Sequence, residues 1–202
     1  MKQNYQLALD KLIQAECRKD KKPTLLLHAC CAPCSSYVLE YLSEFFDITL
    51  FFYNPNIFPE EEYRFRAEEL RRLVREMGLS EQIEIWEETY DPSEFLSLAK
   101  GLENLPEGGA RCAKCYRLRL QRTAELAAKH GFAFFTTTLS ISPYKNAEWL
   151  HEIGEAEGAR HGVRHLPSDF KKRNGYKRSC ELSAQYGLYR QDYCGCLYSR
   201  RN

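Results

Sequence analysis

The stretch His28-Ala29-Cys30-Cys31-Ala32-Pro33-Cys34 decides the fold, and it follows directly on the apolar run Leu25-Leu26-Leu27. A short, continuous apolar run of this kind is typical of a strand that is buried on both faces. Three thiols therefore follow the end of a strand, on a loop restricted by a proline. Two more cysteine groups occur far along the chain, Cys112-Ala113-Lys114-Cys115 and Cys194-Gly195-Cys196. We interpret these seven cysteines as one convergent metal site.

Apolar runs and amphipathic segments alternate along the rest of the sequence. Further strands are predicted at 47–53, 82–87 and 132–138, and helices at 35–45, 60–77, 111–130, 147–157 and 176–186. Ser35 or Ser36 is the expected N-cap of the first of these helices. The alternation predicts an α/β fold with a mainly parallel sheet and helices on both faces. Ligands bind such sheets at the C-terminal strand ends, where Cys30 and Cys31 lie.

The chain length of 202 residues suits a single α/β domain covering 1–202. Within it we expect an N-terminal helix at 1–22 and a basic, cysteine-containing C-terminal extension at 160–202. That extension holds ten Lys or Arg and three Asp or Glu, although the whole chain has a net charge of only +1. The segment 111–130 is basic too. Solvated helix faces would explain either stretch alone, but two of them beside a metal site suggest a polyanionic substrate.

The cysteine content also bears on location. No run approaches the ~20 apolar residues of a membrane span, and the polar segment 1–22 does not resemble a signal peptide. Nine cysteines without an export signal favour reduced thiolates in the cytoplasm over a disulfide framework. We therefore expect a cytoplasmic protein with no membrane partner.

The spacing of the thiols leaves more than one chemistry open. The four thiols of Cys112, Cys115, Cys194 and Cys196 would alone satisfy a structural zinc. Cys30 and Cys31 are adjacent, so in extended backbone their side chains are expected to point to opposite sides and to serve two neighbouring metal atoms. Seven thiolates exceed the four that one zinc or one iron–sulfur cluster needs. The surplus favours a cluster with a second metal, and zinc binding or thiol redox chemistry are the alternatives. We interpret Cys17 and Cys180 as incidental.

Several other side chains are candidates for contact with the reacting groups or the substrate. His28 precedes the first thiols and Asp192 precedes the last, so either is a candidate proton donor. Asp192 is also a candidate metal ligand, or a group that supports one. A histidine satisfied by backbone and a solvated loop acid are the alternatives. The expected substrate contacts are Tyr144, Lys145, Asn146, Lys171, Lys172, Tyr189, Arg190 and Tyr193. Tyrosines interleaved with cations suit stacking on unpaired bases and contact with phosphates, although tyrosines on a helix are often half-buried core.

Six motifs occur in order along the chain: LHACCAPC at 27–34, YNPNI at 53–57, RCAKCYR at 111–117, SPYKN at 142–146, DFKK at 169–172 and YRQDYCGC at 189–196. Together they resemble the QueH family of epoxyqueuosine reductases, over about 25–199.

The resemblance implies a function. Such enzymes reduce epoxyqueuosine at the wobble position of tRNA to queuosine, the last step of that modification. It also implies a [4Fe–4S] cluster with an adjacent mononuclear iron, an external electron donor, no cobalamin, and a core similar to the PP-loop/HUP nucleotide-binding fold. The matching ligand positions are Cys30, Cys31, Cys112, Cys115, Cys194 and Cys196. Cys34 stands where some relatives carry Asp, so a softer thiolate would replace a carboxylate there. His28, Asp192 and Tyr144 are then the candidate proton sources.

Two rival functions differ in what they require. An ATP-using PP-loop enzyme needs a phosphate loop rich in glycine after the first strand, and the stretch from His28 to Cys34 has no glycine. A zinc-stabilised RNA-binding module without redox activity needs only four thiolates. The surplus of grouped cysteines favours the reductase.

Overall fold

Five parallel strands form one sheet in the computed structural model of this protein, which describes residues 4–17 and 21–199. The strands are β1 (Thr24–His28), β2 (Asp47–Phe52), β3 (Glu84–Glu87), β4 (Phe134–Thr137) and β5 (Arg164–His165). Their order across the sheet is β3-β2-β1-β4-β5. The chain runs outward from β1 in one direction and then restarts on its other side. A crevice therefore forms beyond the ends of β1 and β4, where the strand order reverses.

Helices connect these strands and flank the sheet. They are α1 (Tyr5–Glu16), α2 (Ala32–Leu42), α3 (Glu60–Glu76), α4 (Ser93–Ala99), α5 (Ala110–Lys129), α6 (Ala147–His161) and α7 (Gly175–Gln185). Short 3₁₀ turns cover Thr138–Ile141 and Leu197–Ser199.

The central strand shows why helices cover both faces. Leu25 and Leu27 point to one side of the sheet, into a core shared with α1, α2 and α3. Leu26 points to the other side, into a core shared with α5 and α6. Successive side chains of a strand alternate between faces, so a continuous apolar run is buried only when both faces are covered. The predicted α/β class with a parallel sheet is confirmed, and the similarity to the PP-loop/HUP fold stays a prediction.

The helix after β1 begins earlier than the sequence suggested. Ser35 and Ser36 are not N-caps: α2 begins at Ala32 and Cys31 occupies the cap position. Both serines are buried inside the helix, where their hydroxyls donate to the backbone oxygens of Cys31 and Pro33, at 2.8 and 2.9 Å. Pro33 lies in the first turn of the helix instead of preceding it, and it is tolerated there because the N–H that proline lacks would have no partner in a first turn. Cys34 is therefore held on the first turn of a helix.

The terminal segments join the same structure. Leu9 and Ile13 of α1 belong to the core on the α2 side of the sheet, and α7 packs against α2. The description of residues 1–202 as one domain with an N-terminal helix and a basic extension stays a prediction. Within residues 4–17 and 21–199, no helix combines the length and the apolar character needed to cross a bilayer.

Burial in this core predicts the stability effect of two matched substitutions. Leu26 is fully buried, whereas Leu7 on α1 is 49% exposed. Leu26→Ala is expected to lower the free energy of unfolding by about 2–5 kcal/mol, because it removes buried methyl groups and leaves a cavity. Leu7→Ala should change it by less than about 0.5 kcal/mol. Urea unfolding followed by circular dichroism measures both, and equal effects would contradict the placement of β1 at the centre.

Candidate metal centre

A cavity of about 210 Å³ lies beyond the ends of the strands. Its wall includes Cys30, Asn54 and Leu139, which follow β1, β2 and β4. Six of the seven grouped cysteines line it: Cys30, Cys34, Cys112, Cys115, Cys194 and Cys196. The seventh, Cys31, is buried beside Cys30. The three groups of thiols therefore meet at the crevice where the strand order reverses.

The first group is a tight cluster of sulfurs. The Sγ atoms of Cys30, Cys31 and Cys34 lie within 4.8 Å of one another, and those of Cys30 and Cys31 are 3.8 Å apart. The expectation that adjacent cysteines point to opposite sides was wrong, because β1 ends before Cys30 and the chain turns into α2 at Cys31. The hydroxyl of Thr138, just after β4, accepts from the backbone N–H of Cys30 at 3.2 Å and holds this turn. Three sulfurs at this separation can bind one metal ion.

The second and third groups share another part of the wall. Cys112 lies in the first turn of α5, where its sulfur accepts from the backbone N–H of Gly108 at 3.2 Å. Cys115, one turn later, is buried in a small cluster with Cys196 and Phe95, and Cys194 packs against that cluster. Thiols from α5 and from the C-terminal loop are thus neighbours, although about 80 residues separate them in the sequence.

Backbone contacts fix the position of the C-terminal loop. Ile57 and Cys196 form an antiparallel bridge, and the N–H of Phe58 donates to the carbonyl of Gly195 at 2.9 Å. Gly195 has φ +95°, and a Cβ there would lie 2.9 Å from Cγ1 of Ile57. Only glycine fits this backbone and this approach without strain, so the spacing Cys-Gly-Cys has a structural cause.

Two arginines are buried in the wall of the cavity. Arg66 on α3 is 2% exposed and Arg119 on α5 is 4% exposed. Arg66 donates to the carbonyl of Cys194 at 3.3 Å, and Arg119 to the carbonyl of Cys115 at 3.4 Å. Burial lowers the pKa of both guanidinium groups, but neighbouring acidic groups outweigh it and the net pKa of each is raised. The Cys31 thiolate and Glu62 act on Arg66, and the thiols of Cys115 and Cys30 act on Arg119. The arginines therefore supply positive charge for thiolates.

Neither arginine is among the site residues predicted from the sequence. The same holds for five other residues that line the cavity: Asn54, Asn56, Arg111, Tyr116 and Gln191. One signal was present in the sequence. Arg66 lies on the apolar stripe of its helix with Tyr63, Ala67 and Leu70, and a cation on a buried stripe requires an anionic partner in the core.

Hydrogen bonding divides the thiols into those that hold negative charge and those that keep their protons. The Cys30 and Cys34 thiols and the Arg66 charge bring the pKa of Cys31 well below its usual range. The hydrogen bond to Cys31 raises the pKa of Cys30 to about 12. At the other side of the cavity, the Cys196 thiol and the Lys145 ammonium lower the pKa of Cys194 to about 5. Each side thus has one thiolate ready to ligate, and ligation needs the thiolate form.

His28 lies beneath the cysteine loop and not in the cavity wall. It is fully buried, with Nδ1 2.8 Å from the Thr137 hydroxyl and Nε2 3.0 Å from the Tyr53 carbonyl. Because a carbonyl only accepts, Nε2 carries the proton and donates it there, and Nδ1 accepts from the hydroxyl. Burial, followed by the charge of Arg119, lowers its pKa to about 3. The geometry fits a residue that positions the ends of β1, β2 and β4 better than one that donates a proton.

The remaining predicted site residues fall into two sets. Tyr144, Lys145, Arg190, Asp192 and Tyr193 line the cavity. The other set lies outside its wall: the Asn146 side chain caps α6, Lys171 pairs with Asp169 at 2.8 Å, Lys172 is exposed, and Tyr189 packs edge-on against Phe65. Cys17 and Cys180 do not line the cavity either.

Much of the basic charge at 160–202 is paired with acids elsewhere in the fold. Arg164 binds Glu16 at 2.6 Å and Arg178 binds Glu40 at 2.6 Å. Arg173 binds Asp10, and Arg160 lies 3.7 Å from Glu157. The excess counted along the sequence therefore overstates the positive surface available to a polyanion.

The pKa of Cys194 can be tested by alkylation of reduced, metal-free protein at pH 6. With a pKa of about 5, Cys194 is mostly thiolate there, whereas burial raises the pKa of Cys17 and leaves it protonated. Iodoacetamide should label Cys194 at least about tenfold faster than Cys17. A lower pKa makes a thiolate less nucleophilic, but the larger fraction of Cys194 present as thiolate at pH 6 outweighs that loss.

Both side chains are partly exposed, and a change in the charge near Cys194 alone separates the effect of its pKa from that of access. Peptide mass spectrometry reads the two rates. Lys145→Met should slow labelling of Cys194 and leave Cys17 unchanged. Equal rates at the two thiols in the parent protein would contradict the assigned charge state.

Known proteins are similar to this chain over most of its length. The family model described as "Epoxyqueuosine reductase QueH" matches residues 25–202. A protein of Streptococcus pyogenes serotype M1 with the same name is 41% identical over 200 residues, 98% of this chain and 78% of that protein. The Staphylococcus epidermidis protein of that name is 41% identical over 200 residues, covering 97% and 84%. The Thermotoga maritima one is 36% identical over 176 residues, covering 87% and 90%.

These matches span nearly the whole chain and confirm the resemblance that the six motifs indicated. The chain belongs to the QueH family of epoxyqueuosine reductases.

Proposed function

We propose that this protein is an oxidoreductase that removes the epoxide oxygen of epoxyqueuosine in tRNA, giving queuosine, with a [4Fe–4S] cluster and an adjacent mononuclear iron held at the cysteine-lined cavity. The observation that carries this proposal is the meeting of thiols from three distant segments at one cavity, in a chain of this family. The reaction uses no cobalamin. We place the protein in the cytoplasm, where its thiols stay reduced.

The residues present fit such a group. Thiolates are the ligands that iron–sulfur clusters use, four for each cluster. The candidate ligands exceed that number: Cys30, Cys31, Cys34, Cys112, Cys115, Cys194 and Cys196. The buried charges of Arg66 and Arg119 offset thiolate charge that would otherwise be costly in a low-dielectric wall. When bound, the metals supply single electrons and a Lewis-acid position for oxygen.

The overall reaction sets what the protein must deliver. Loss of the epoxide oxygen breaks two C–O bonds, forms a C=C bond and releases water, which takes two electrons and two protons. The electrons come from an external electron donor. The protons come from side chains at the cavity or from water that they position. Asp192 and Tyr144 line the cavity and are the candidates, whereas both ring nitrogens of His28 are engaged in the core.

The mouth of the cavity suits a splayed nucleotide. Tyr144 is 73% exposed and offers an aromatic face, and Tyr193 lines the same cavity. Unpaired bases stack on such side chains, and the target base must leave its stack to reach a buried centre. We assign Lys145 and Arg190 to the flanking phosphates. Asn146, Lys171, Lys172 and Tyr189 are assigned to more distant contacts with the anticodon loop.

Metal analysis tests the proposal first. Protein purified without oxygen is expected to contain about four sulfides and four or five irons per chain. It should convert epoxyqueuosine to queuosine in tRNA when given a chemical reductant, as read by mass spectrometry of the digested nucleosides. About one zinc and no sulfide, from metal-replete cells, would contradict the proposal and favour a zinc-stabilised RNA-binding module.

Cysteine variants test the assignment of ligands. Cys112→Ala and Cys196→Ala should each lose cluster iron and reductase activity, because each removes a thiolate from the wall. Cys17→Ala is the matched control, since Cys17 lies outside the cavity, and it should keep both. Full iron content in either of the first two variants would overturn the assignment.

A further inference from the structure

A second group of metal-binding side chains lies apart from the cysteines. The group consists of His151, Glu155 and His165. Each offers one ligand atom, and the three atoms lie within 4.8 Å of one another. None of the three residues lines the cysteine cavity. His151 and Glu155 are four residues apart on α6 and so share one face of that helix. His165 comes from β5, the strand next to β4 at the sheet edge.

Close contact between α6 and β5 fixes the ring of His165. A Cβ at Gly154 would lie 2.4 Å from Cδ2 and Nε2 of that ring, so the absence of a side chain there lets the imidazole rest against the helix backbone. Phe135 packs beside the ring at a centroid distance of 5.3 Å. His165 is 8% exposed. Its Nε2 edge faces the helix, and its Nδ1 lies 3.4 Å from a carboxylate oxygen of Glu155.

One of the three ligand atoms lacks a hydrogen-bond partner. Nδ1 of His151 is buried without one, and Nδ1 of His165 faces the Glu155 carboxylate at 3.4 Å. Buried polar atoms are ordinarily satisfied by protein or by ordered water, and each exception requires an explanation. The His151 ring is held by Tyr5, at a centroid distance of 4.1 Å, and it lies 5.6 Å from the His165 ring. Two imidazole nitrogens and a carboxylate therefore converge on one point.

The spacing of the three ligand atoms suits a tetrahedral metal ion. Ligand atoms at 2.0–2.2 Å around a tetrahedral zinc are themselves roughly 3.3–3.6 Å apart. The observed separations need only a small side-chain adjustment.

We propose that His151, Glu155 and His165 form a binding site for a divalent transition-metal ion of the zinc class. The ion would take two Nδ1 atoms and one carboxylate oxygen from the protein, and water in the remaining position. It would join α6 to the edge strand β5. The site is independent of the reductase proposal, because it shares no ligand with the cysteine cavity.

Cobalt(II) is the probe, because its absorption reports ligand type. Protein with its cysteine site loaded is titrated with Co²⁺ without oxygen. One ion per chain should bind with visible d–d bands and without new thiolate-to-cobalt charge-transfer absorption, and Zn²⁺ should displace it. Glu155→Gln and His151→Gln should each weaken binding by at least about tenfold, the lower bound for losing even an outer-shell partner.

Glu152→Gln is the matched control, since Glu152 is an exposed acid on the same helix but not one of the three ligands. It should bind Co²⁺ as the parent does. Both ligand substitutions lie at partly exposed positions, and far-UV circular dichroism checks the fold of each variant. Two results would overturn the site. One is Co²⁺ binding that shows only thiolate-to-cobalt charge-transfer bands, and the other is a Co²⁺ affinity that neither Glu155→Gln nor His151→Gln changes.

Discussion

Compensation of buried thiolate charge is the constraint on which the rest of this structure depends. Thiols ligate metals only as thiolates, and an isolated anion in a low-dielectric wall is costly. Arg66 and Arg119 reach the cavity from opposite faces of the sheet, on α3 and α5, and each contacts the backbone of a cysteine from a different group. The two cations therefore connect all three cysteine segments electrostatically. The strand order makes this possible, because β1 lies at the centre of the sheet and the thiols that follow it lie between α3 and α5.

Local patterns were enough to predict much of this architecture. The apolar run at Leu25-Leu26-Leu27 predicted a strand covered on both faces, and the alternation of segments predicted a parallel α/β sheet. Both are properties of neighbouring residues. Grouping the seven cysteines also required only spacing, and the structure places six of them around one cavity. The start of α2 was missed because a proline was interpreted as part of a loop, although its missing N–H suits a first helical turn equally well.

What the sequence did not predict depends on contacts between distant residues. Arg164 pairs with Glu16, 148 residues away, so a count of charge along 160–202 could not show that it is neutralised. The roles of Arg66 and Arg119 require knowing which helix faces meet the cavity. The sulfurs of Cys30 and Cys31 lie close together because β1 ends before Cys30, and the sequence did not show where that strand ends. The two imidazoles at the sheet edge come from α6 and β5, and only the close approach of His165 to Gly154 brings them together.

The bridge between Ile57 and Cys196 has a consequence for how the protein is made. Cys30 and Cys196 are 166 residues apart, and at ribosomal rates of 5–20 residues per second the first thiols emerge roughly 8–33 seconds before the last. Until Cys196 has emerged, the bridge to Ile57 cannot form and the cavity wall is incomplete. During that interval the thiols of Cys30 and Cys31 lack the part of the wall that the C-terminal loop supplies.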